Sequence, residues 1–387
     1  MSIRVPYLHR RDFMKSASVF SVAAAGIKAA VPKPTRDVSP IIRRICTNFN
    51  MPAMAGLILH GTEVEAQGVT GARERGRHAR ATLHDQWHLG SDTKAMTATL
   101  CAMLVSQGKI DWNSTLGKIF PELKVTMNPA YRTVTILQLL TMRAGCPGEG
   151  AAGWVWNRVQ KQTQHLINVR QEITRWILTR VPQAAPGSRF IYSNVGYVIA
   201  GHIAERVTGV VWEKLMKTHI FLPLGMASAG FGAPGVHGKL DEPRGHDAAG
   251  RPVPLGPGDD NPPALGPAGT VHASIDDWAK FVALHLTMGR AHPDLLPASE
   301  FIRLHTPVMG KPPEPNYAMG WEVVKRSWGG GTVLTHSGSN TLWYCTAWLA
   351  PRRNFAILVN CNQGGIQAAK ACDAVSAALI HNHLNHL

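Results

Sequence analysis

Ser91 and Lys94 stand three residues apart in His88-Leu-Gly-Ser-Asp-Thr-Lys94, at the mouth of an apolar run that predicts a helix from Ser91 to Lys109. Residues i and i+3 share a helix face, so this spacing sets an amine beside a hydroxyl. At a helix start the free backbone N–H groups and the positive dipole end surround the serine. Ala95, Met96, Ala98, Leu100, Cys101, Met103, Leu104 and Val105 leave almost no polar face, so the helix is expected to be buried on most sides. Burial lowers the pKa of an amine, and a neutral lysine can take a proton from serine. The pair therefore reads as a nucleophile and its base. The competing reading is an N-cap serine with a lysine running outward along the surface. Serine-x-x-lysine is unspecific by itself. Ser106-Gln-Gly-Lys109 also fits, but there the lysine complements a helix C-terminus.

Two further clusters carry the residue types such a pair needs. Tyr192-Ser193-Asn194 is the chain's one tyrosine-x-asparagine. A phenol near a lysine can relay protons, and an asparagine amide can hold both a lysine and a substrate carbonyl. Alone, the triplet also reads as a turn entering a helix. His336-Ser337-Gly338 falls on a predicted strand, where a glycine marks close approach of another backbone or a ligand. His88-Leu-Gly90 shares its pattern, so this tripeptide is weak alone, and His336 also reads as a plain strand histidine.

Other chemistries find no support. Gly148-Glu-Gly-Ala-Ala-Gly153 matches GxGxxG but follows a helix rather than a strand. There is no glycine-x-serine-x-glycine elbow, HExxH or P-loop, and the 18 histidines form no metal-spaced cluster, so neither cofactor nor metal is expected. Trp154 and Trp156 read as plugs tying a loop to the core, with a place in a substrate cleft as the alternative.

The elements that must position these residues follow from periodicity. A helix starts at Ser39; then AGLILHG and VEAQGVTG alternate as two strands about a turn at Gly61-Thr62. TVTILQLLTMRAG predicts a helix capped by Thr135 and closed by Gly145, and GYVIAGHIAERVTG another. Between Gly230 and Gly269 runs a long Gly/Pro-rich stretch, of a kind usually functional or mobile in a compact domain. YAMGWEVVKR, TVLTHSG, LWYCTAWLAP and NFAILVNC predict strands, and GIQAAKACDAVSAALIHNHL a last helix. The pattern predicts an α/β (α+β) fold: one antiparallel sheet sewn from both termini and flanked by helices. Residues 36–110 and 270–387 would form the sheet domain, and 111–269 an inserted helical and loop region.

The chain has 387 residues, enough for a real core. Lysine plus arginine exceed acids by 40 to 25, a net +15, yet no long basic run or aromatic-basic interleaving suggests nucleic acid. Arg10-Arg11-Asp12-Phe13-Met14-Lys15, followed by the mildly apolar Ser16–Ile27, resembles a twin-arginine export signal over residues 1–30, with cleavage after Ala25 or Ala30. An amphipathic N-terminal helix is the alternative. No later stretch is apolar enough to span a membrane, so a periplasmic or secreted protein is expected. Cys46, Cys101, Cys146, Cys345, Cys361 and Cys372 lack CxxC spacing; only Cys345 and Cys361, on adjacent predicted strands, suggest a meeting.

Taken together, the helix-borne serine-x-x-lysine, the tyrosine-x-asparagine about a hundred residues on, and a strand triplet ending in glycine resemble the penicillin-recognising serine hydrolases. The nearest likeness is to class C β-lactamases with their D-alanyl carboxypeptidase and esterase relatives, from about Ile41 to the end. WHLGSDTKAMTATL, FLPLGM, AGTVHASIDDWAKFV and YAMGWEV add to it. The resemblance implies a sheet domain and a helical domain with the site between them. It makes Ser91 the nucleophile, Lys94 its proton acceptor, Tyr192 a second proton carrier and Asn194 a polar positioner. It also places the oxyanion at the N–H groups of Ser91 and of Ser339, just past Gly338. Such donors are worth about 3–4 kcal/mol at the tetrahedral stage. His336 stands where β-lactamases carry a lysine that holds the substrate carboxylate, so peptidases and esterases match better than efficient β-lactamases. The implied substrate is a small molecule or peptide, with peptidoglycan fragments among the candidates. A non-catalytic penicillin or peptidoglycan-fragment sensor is the alternative.

Overall fold

Alternating apolar residues commit both ends of the chain to one sheet. The structure is a computed structural model describing residues 35–256, 258–308 and 314–386. The twin-arginine-type segment and its cleavage positions lie outside the described residues. The first strands are β1 (Arg36–Asp37), β2 (Ala53–His60), β3 (Glu63–Gly71), β4 (Gln86–His88), β5 (Gly230–Phe231) and β6 (Val271–Ser274). The last four are β7 (Glu322–Arg326), β8 (Gly331–Gly338), β9 (Tyr344–Ala350) and β10 (Phe355–Cys361). Seven of them form a sheet of order β1-β3-β2-β10-β9-β8-β7, antiparallel except where β1 meets β3. The β2–β10 ladder, Cys361 opposite Met54 to Phe355 opposite His60, joins the two ends of the chain. A second sheet, β4-β6-β5, has strands too short for periodicity to reveal.

The helices are α1 (Ser39–Asn48), α2 (Thr93–Ser106), α3 (Leu116–Ile119), α4 (Ile136–Leu140), α5 (Glu149–Val159) and α6 (Leu166–Leu178). They continue with α7 (Asn194–Thr208), α8 (Trp212–Met216), α9 (Gly266–Gly269), α10 (Ile275–Leu286), α11 (Ala298–His305) and α12 (Gly365–Leu384). Successive side chains leave a strand on opposite faces. Met54, Ile58, Ile357 and Val359 therefore pack with α1 and α12, while Ala55, Leu57, Ala356 and Leu358 face the larger core around α2. Helix α2 is buried at every residue from Thr93 to Leu104, so its length of uninterrupted small and apolar residues is what places it at the centre.

Several boundaries differ from expectation for local reasons. Gly90 has φ +47, and Gly90–Asp92 form a 3₁₀ turn, so α2 starts at Thr93 and Ser91 precedes it. The helix stops at Ser106, and Lys109 lies beyond Gly108 at φ +68. Thr135 and Gln138 form the capping box of α4, but Met142 at φ +61 breaks the chain direction before Gly145. The predicted strand at Tyr317 is reduced to β7, because Gly320 at φ +84 lies with its backbone against Ala95. Cys345 and Cys361 do not meet: Cys345 pairs with Asn360 and Cys361 with Tyr344, so the sulfurs leave opposite faces.

Candidate active site

The turn that carries Ser91 is made by close backbone contact. Cβ atoms added to Gly90 or Gly338 would overlap the backbone of Ser339 and the carbonyl of Leu89, respectively. The end of β8 thus lies directly on the turn that carries Ser91, which only two glycines permit. Ser339 N–H finds no acceptor among the described residues, while its Oγ donates to Trp343 O at 2.7 Å.

Lys94 is fully buried in the first turn of α2. Its Nζ stands 2.9 Å from Ser91 Oγ, 2.6 Å from Asn194 Oδ1 and 2.7 Å from Ala268 O. Two of these partners can only accept, so each takes an N–H from the amine. The third, a hydroxyl, accepts from the ammonium or donates to the lone pair of the neutral amine. The arrangement therefore satisfies both protonation states and sends the exchanged proton to Ser91. Burial lowers the Lys94 pKa to about 7, against the pull of the Glu149 and Asp92 carboxylates.

Tyr192 and Asn194 enter from the start of α7, where Ser193 caps the helix by accepting from Gly196 N–H. The Tyr192 ring centroid is 4.8 Å from Lys94 Nζ. Burial raises its phenol well above the ordinary tyrosine range, a hydrogen bond with Ser91 opposing the shift, so the phenol stays protonated at neutral pH. Asn194 spends its oxygen on Lys94, and its Nδ2 donates to Glu149 at the start of α5. Ser91, Lys94, Tyr192 and Asn194 are thus brought together from chain segments a hundred residues apart.

The third triplet divides. Gly338 and Ser339 adjoin the turn that carries Ser91, whereas Ser337 is exposed on the opposite face and donates to Thr346 Oγ1 at 3.1 Å. His336 is buried beneath the turn. Its Nε2 is 3.2 Å from Tyr317 Oη, and its Nδ1 is 3.3 Å from Asp92 Oδ1. Cys345 Sγ, at 2.9 Å, donates to the other oxygen of Asp92. The histidine underpins the residue beside Ser91 rather than presenting a charge on an open wall.

Asp92, Glu149, Ala268 and Tyr317 escaped sequence reading. Ala268 contributes only a carbonyl, which no side-chain pattern announces, although it belongs to the Gly/Pro-rich stretch marked for function. Glu149 sits inside the discarded GxGxxG match. Beside Asn194 opens a cavity of about 220 Å³, lined also by Glu149, Trp156, Asp260, Asn340 and Thr341. Trp156 therefore lines a cleft, while Trp154 packs on Trp176 with Arg180 over its ring. A second cavity of about 570 Å³ shares Gln160, Gly258, Asp260 and Asn261 with the first. No helix among the described residues is long and apolar enough to cross a membrane.

Comparison with known proteins agrees with this architecture. A family model described as Beta-lactamase matches residues 41–380. Protein flp of Staphylococcus aureus (strain MW2) is 22% identical over 90% of this chain and 67% of its own length. Unguisins hydrolase ungD' of Aspergillus campestris is 24% identical over 84% of this chain and 61% of its own, so this chain spans under two thirds of that relative. Among solved structures, the octameric penicillin-binding protein homologue from Pyrococcus abyssi aligns with TM-score 0.72 and 23% identity, over 89% of this chain and 76% of that one. The D-alanine carboxypeptidase AmpC from Burkholderia cenocepacia aligns with TM-score 0.70 and 20% identity, over 88% and 97% respectively. These likenesses show a shared β-lactamase/transpeptidase fold.

Proposed function

The chain belongs to the Beta-lactamase family, and from that premise we propose that it is a serine hydrolase forming an acyl-enzyme on Ser91. One observation carries the reading: a fully buried Lys94 whose Nζ meets Ser91 Oγ, Asn194 Oδ1 and Ala268 O, with its pKa lowered to about 7. In the reaction, Ser91 Oγ attacks the carbonyl carbon of an amide or ester while its proton passes to neutral Lys94. The oxyanion forms between the N–H groups of Ser91 and Ser339. Tyr192, hydrogen-bonded to Ser91, passes a proton to the leaving nitrogen or oxygen. Water then releases the acyl group by the reverse route. A phenol that stays protonated suits the donor role, and an amine near pH 7 suits the acceptor role.

Peptidase or esterase action is favoured over efficient β-lactamase action. His336 supports this, because it is buried with Nε2 3.2 Å from Tyr317 Oη and Nδ1 3.3 Å from Asp92 Oδ1, so its ring does not stand on an open wall where it could meet a substrate carboxylate. A binding-only sensor has no use for a lysine desolvated at this expense, which argues against the non-catalytic reading. Export belongs to the proposal, supported by Arg10-Arg11-Asp12-Phe13-Met14-Lys15 ahead of Ser16–Ile27. The deciding experiment is mass spectrometry after incubation with p-nitrophenyl acetate, D-peptides and nitrocefin. An acyl adduct on the Ser91 peptide, absent in Ser91→Ala, is expected. Equal turnover by wild type and Ser91→Ala across the panel would refute the hydrolase.

A further inference from the structure

Ala268 lends Lys94 a carbonyl from α9, a single turn of four residues, Gly266–Gly269. A turn so short has no stability of its own, so its place is fixed from outside. Two buried side chains do this from either side.

The first is Thr97, fully buried one turn beyond Lys94 and on the same face of α2. A threonine inside a helix ordinarily donates to the carbonyl four residues back. Thr99 does so, reaching Ala95 O at 2.8 Å. Thr97 instead reaches across to Pro267 O at 2.7 Å, the carbonyl next to that of Ala268. On α7, a Cβ at Gly201 would lie 2.3 Å from Pro267 Cγ, so the proline is seated with no room on that side.

The second is Arg170 on α6, also fully buried. Its two Nη atoms donate to Glu205 and Glu213. Nε also donates to Ala264 O at 3.1 Å, and Nη2 to Pro263 O at 3.0 Å. Both carbonyls lie in the 3₁₀ turn Pro263–Leu265, which runs straight into α9. The planar fork of a guanidinium lets one side chain hold carboxylates and backbone together. A Cβ at Gly266, the first residue of α9, would come within 2.8 Å of Nη2, so the guanidinium lies directly against the start of that turn.

Resting on the hydrolase reading above, we infer that Thr97 and Arg170 are positioning residues of the reaction, holding Ala268 O against Lys94 Nζ so that the amine's lone pair is aimed at Ser91. With its two N–H groups given to Ala268 O and Asn194 Oδ1, a neutral amine has one direction left, towards Ser91 Oγ. Loss of the carbonyl frees the amine to turn. It also removes an acceptor that favours the ammonium form, so Lys94 would release its proton at a lower pH. The other groups acting on Lys94 are the Glu149 and Asp92 carboxylates and the rings of Tyr192 and Tyr197, which a change at Thr97 leaves in place.

Thr97→Val keeps the shape and removes the donor, whereas Thr97→Ser keeps the donor. The pH dependence of kcat/KM for p-nitrophenyl acetate is measured for both and for the wild type. In Thr97→Val the acid limb is expected about half a pH unit or more below the wild-type pKa of about 7, with the plateau lowered roughly tenfold. Thr97→Ser should restore both. Arg170→Lys retains the charge but not the fork, and the folded variant should move the limb the same way. A limb and plateau unchanged in Thr97→Val, even with a lower melting temperature, make Thr97 a structural pin and overturn the assignment. A shift that Thr97→Ser does not reverse overturns it too, and an unmoved limb in folded Arg170→Lys strikes that residue. A substrate-free measurement keeps the anchors apart from the hydrolase. The stability contributed by Lys94 is the difference in urea unfolding between each protein and its Lys94→Met counterpart, and it rises with pH from the folded-state pKa upward. Its onset should move down in Thr97→Val. A moved onset with no acyl group on wild-type Ser91 removes the hydrolase and leaves the anchored carbonyl. Acylated Ser91 with an unmoved onset and limb removes the anchors and leaves the hydrolase.

Discussion

At the scale of single residues, the site depends on an amine that has lost its preference for charge. Lys94→Met keeps volume and removes the amine, so turnover should fall about 10²–10⁴-fold with the fold retained, read by kcat/KM and circular dichroism. Because the proposed mechanism uses the neutral amine as its base, wild-type kcat/KM should rise through a pKa of about 7. Stability carries the same signature. Unfolded lysine holds its proton up to about pH 10.5, whereas the folded group releases it near 7, so unfolding takes up a proton between those values and stability from Lys94 rises with pH. Lys94→Met should therefore stabilise the protein more at pH 6.5 than at pH 9.5; a melting-temperature difference independent of pH would assign the low pKa elsewhere. Arg10→Lys with Arg11→Lys tests export at the same scale, and the double variant should be retained in the cytoplasmic fraction. Ser91, Lys94, Tyr192 and Asn194 were legible because their types and spacing are unusual together. Glu149 was not, because an acid acquires meaning only from what its segment is folded against. His336 was legible as polar, but Tyr317 and Asp92 decide where its ring nitrogens point.

At the scale of elements, α2, α7 and α12 could be read from apolar stripes and caps, while their ends could not. Periodicity does not register the left-handed Gly90, which turns Ser91 out of α2 and into a 3₁₀ turn. Gly90→Ala introduces a Cβ into the Ser339 backbone at a φ that L side chains rarely adopt. Strain of this kind costs roughly 1–3 kcal/mol, and it falls on the two amides that would hold the oxyanion. The variant should lose most acyl transfer while keeping its fold, measured by stopped-flow acylation beside circular dichroism. Thr135→Ala, removing the capping box of α4, should cost about 1 kcal/mol in urea unfolding. Its kcat/KM should hardly change, since α4 contributes no side chain to the site. The small β4-β6-β5 sheet escaped notice because strands of two to four residues carry too little periodicity.

At the scale of the whole molecule, the sheet closes one end of the chain on the other, and that much was visible in the distribution of alternating segments. The register was not, since it depends on which side chains share a face, and one residue of offset separates Cys345 from Cys361. Helix α12 covers one face with Ala368, Ala371, Cys372, Val375 and Leu379. A chain truncated before Gly365 should leave Ile357 and Val359 uncovered and be recovered as aggregate, read by soluble yield and hydrophobic-dye binding. The β2–β10 ladder has a further effect on the order of events during synthesis. Ser91 and Lys94 leave the ribosome long before Ser339, and β2, already beside β3, waits for its second neighbour β10, which is translated long after it. A growing polypeptide therefore carries Ser91 and Lys94 before Ser339 exists, and under the proposed mechanism the emerging product stays chemically silent until β8 arrives.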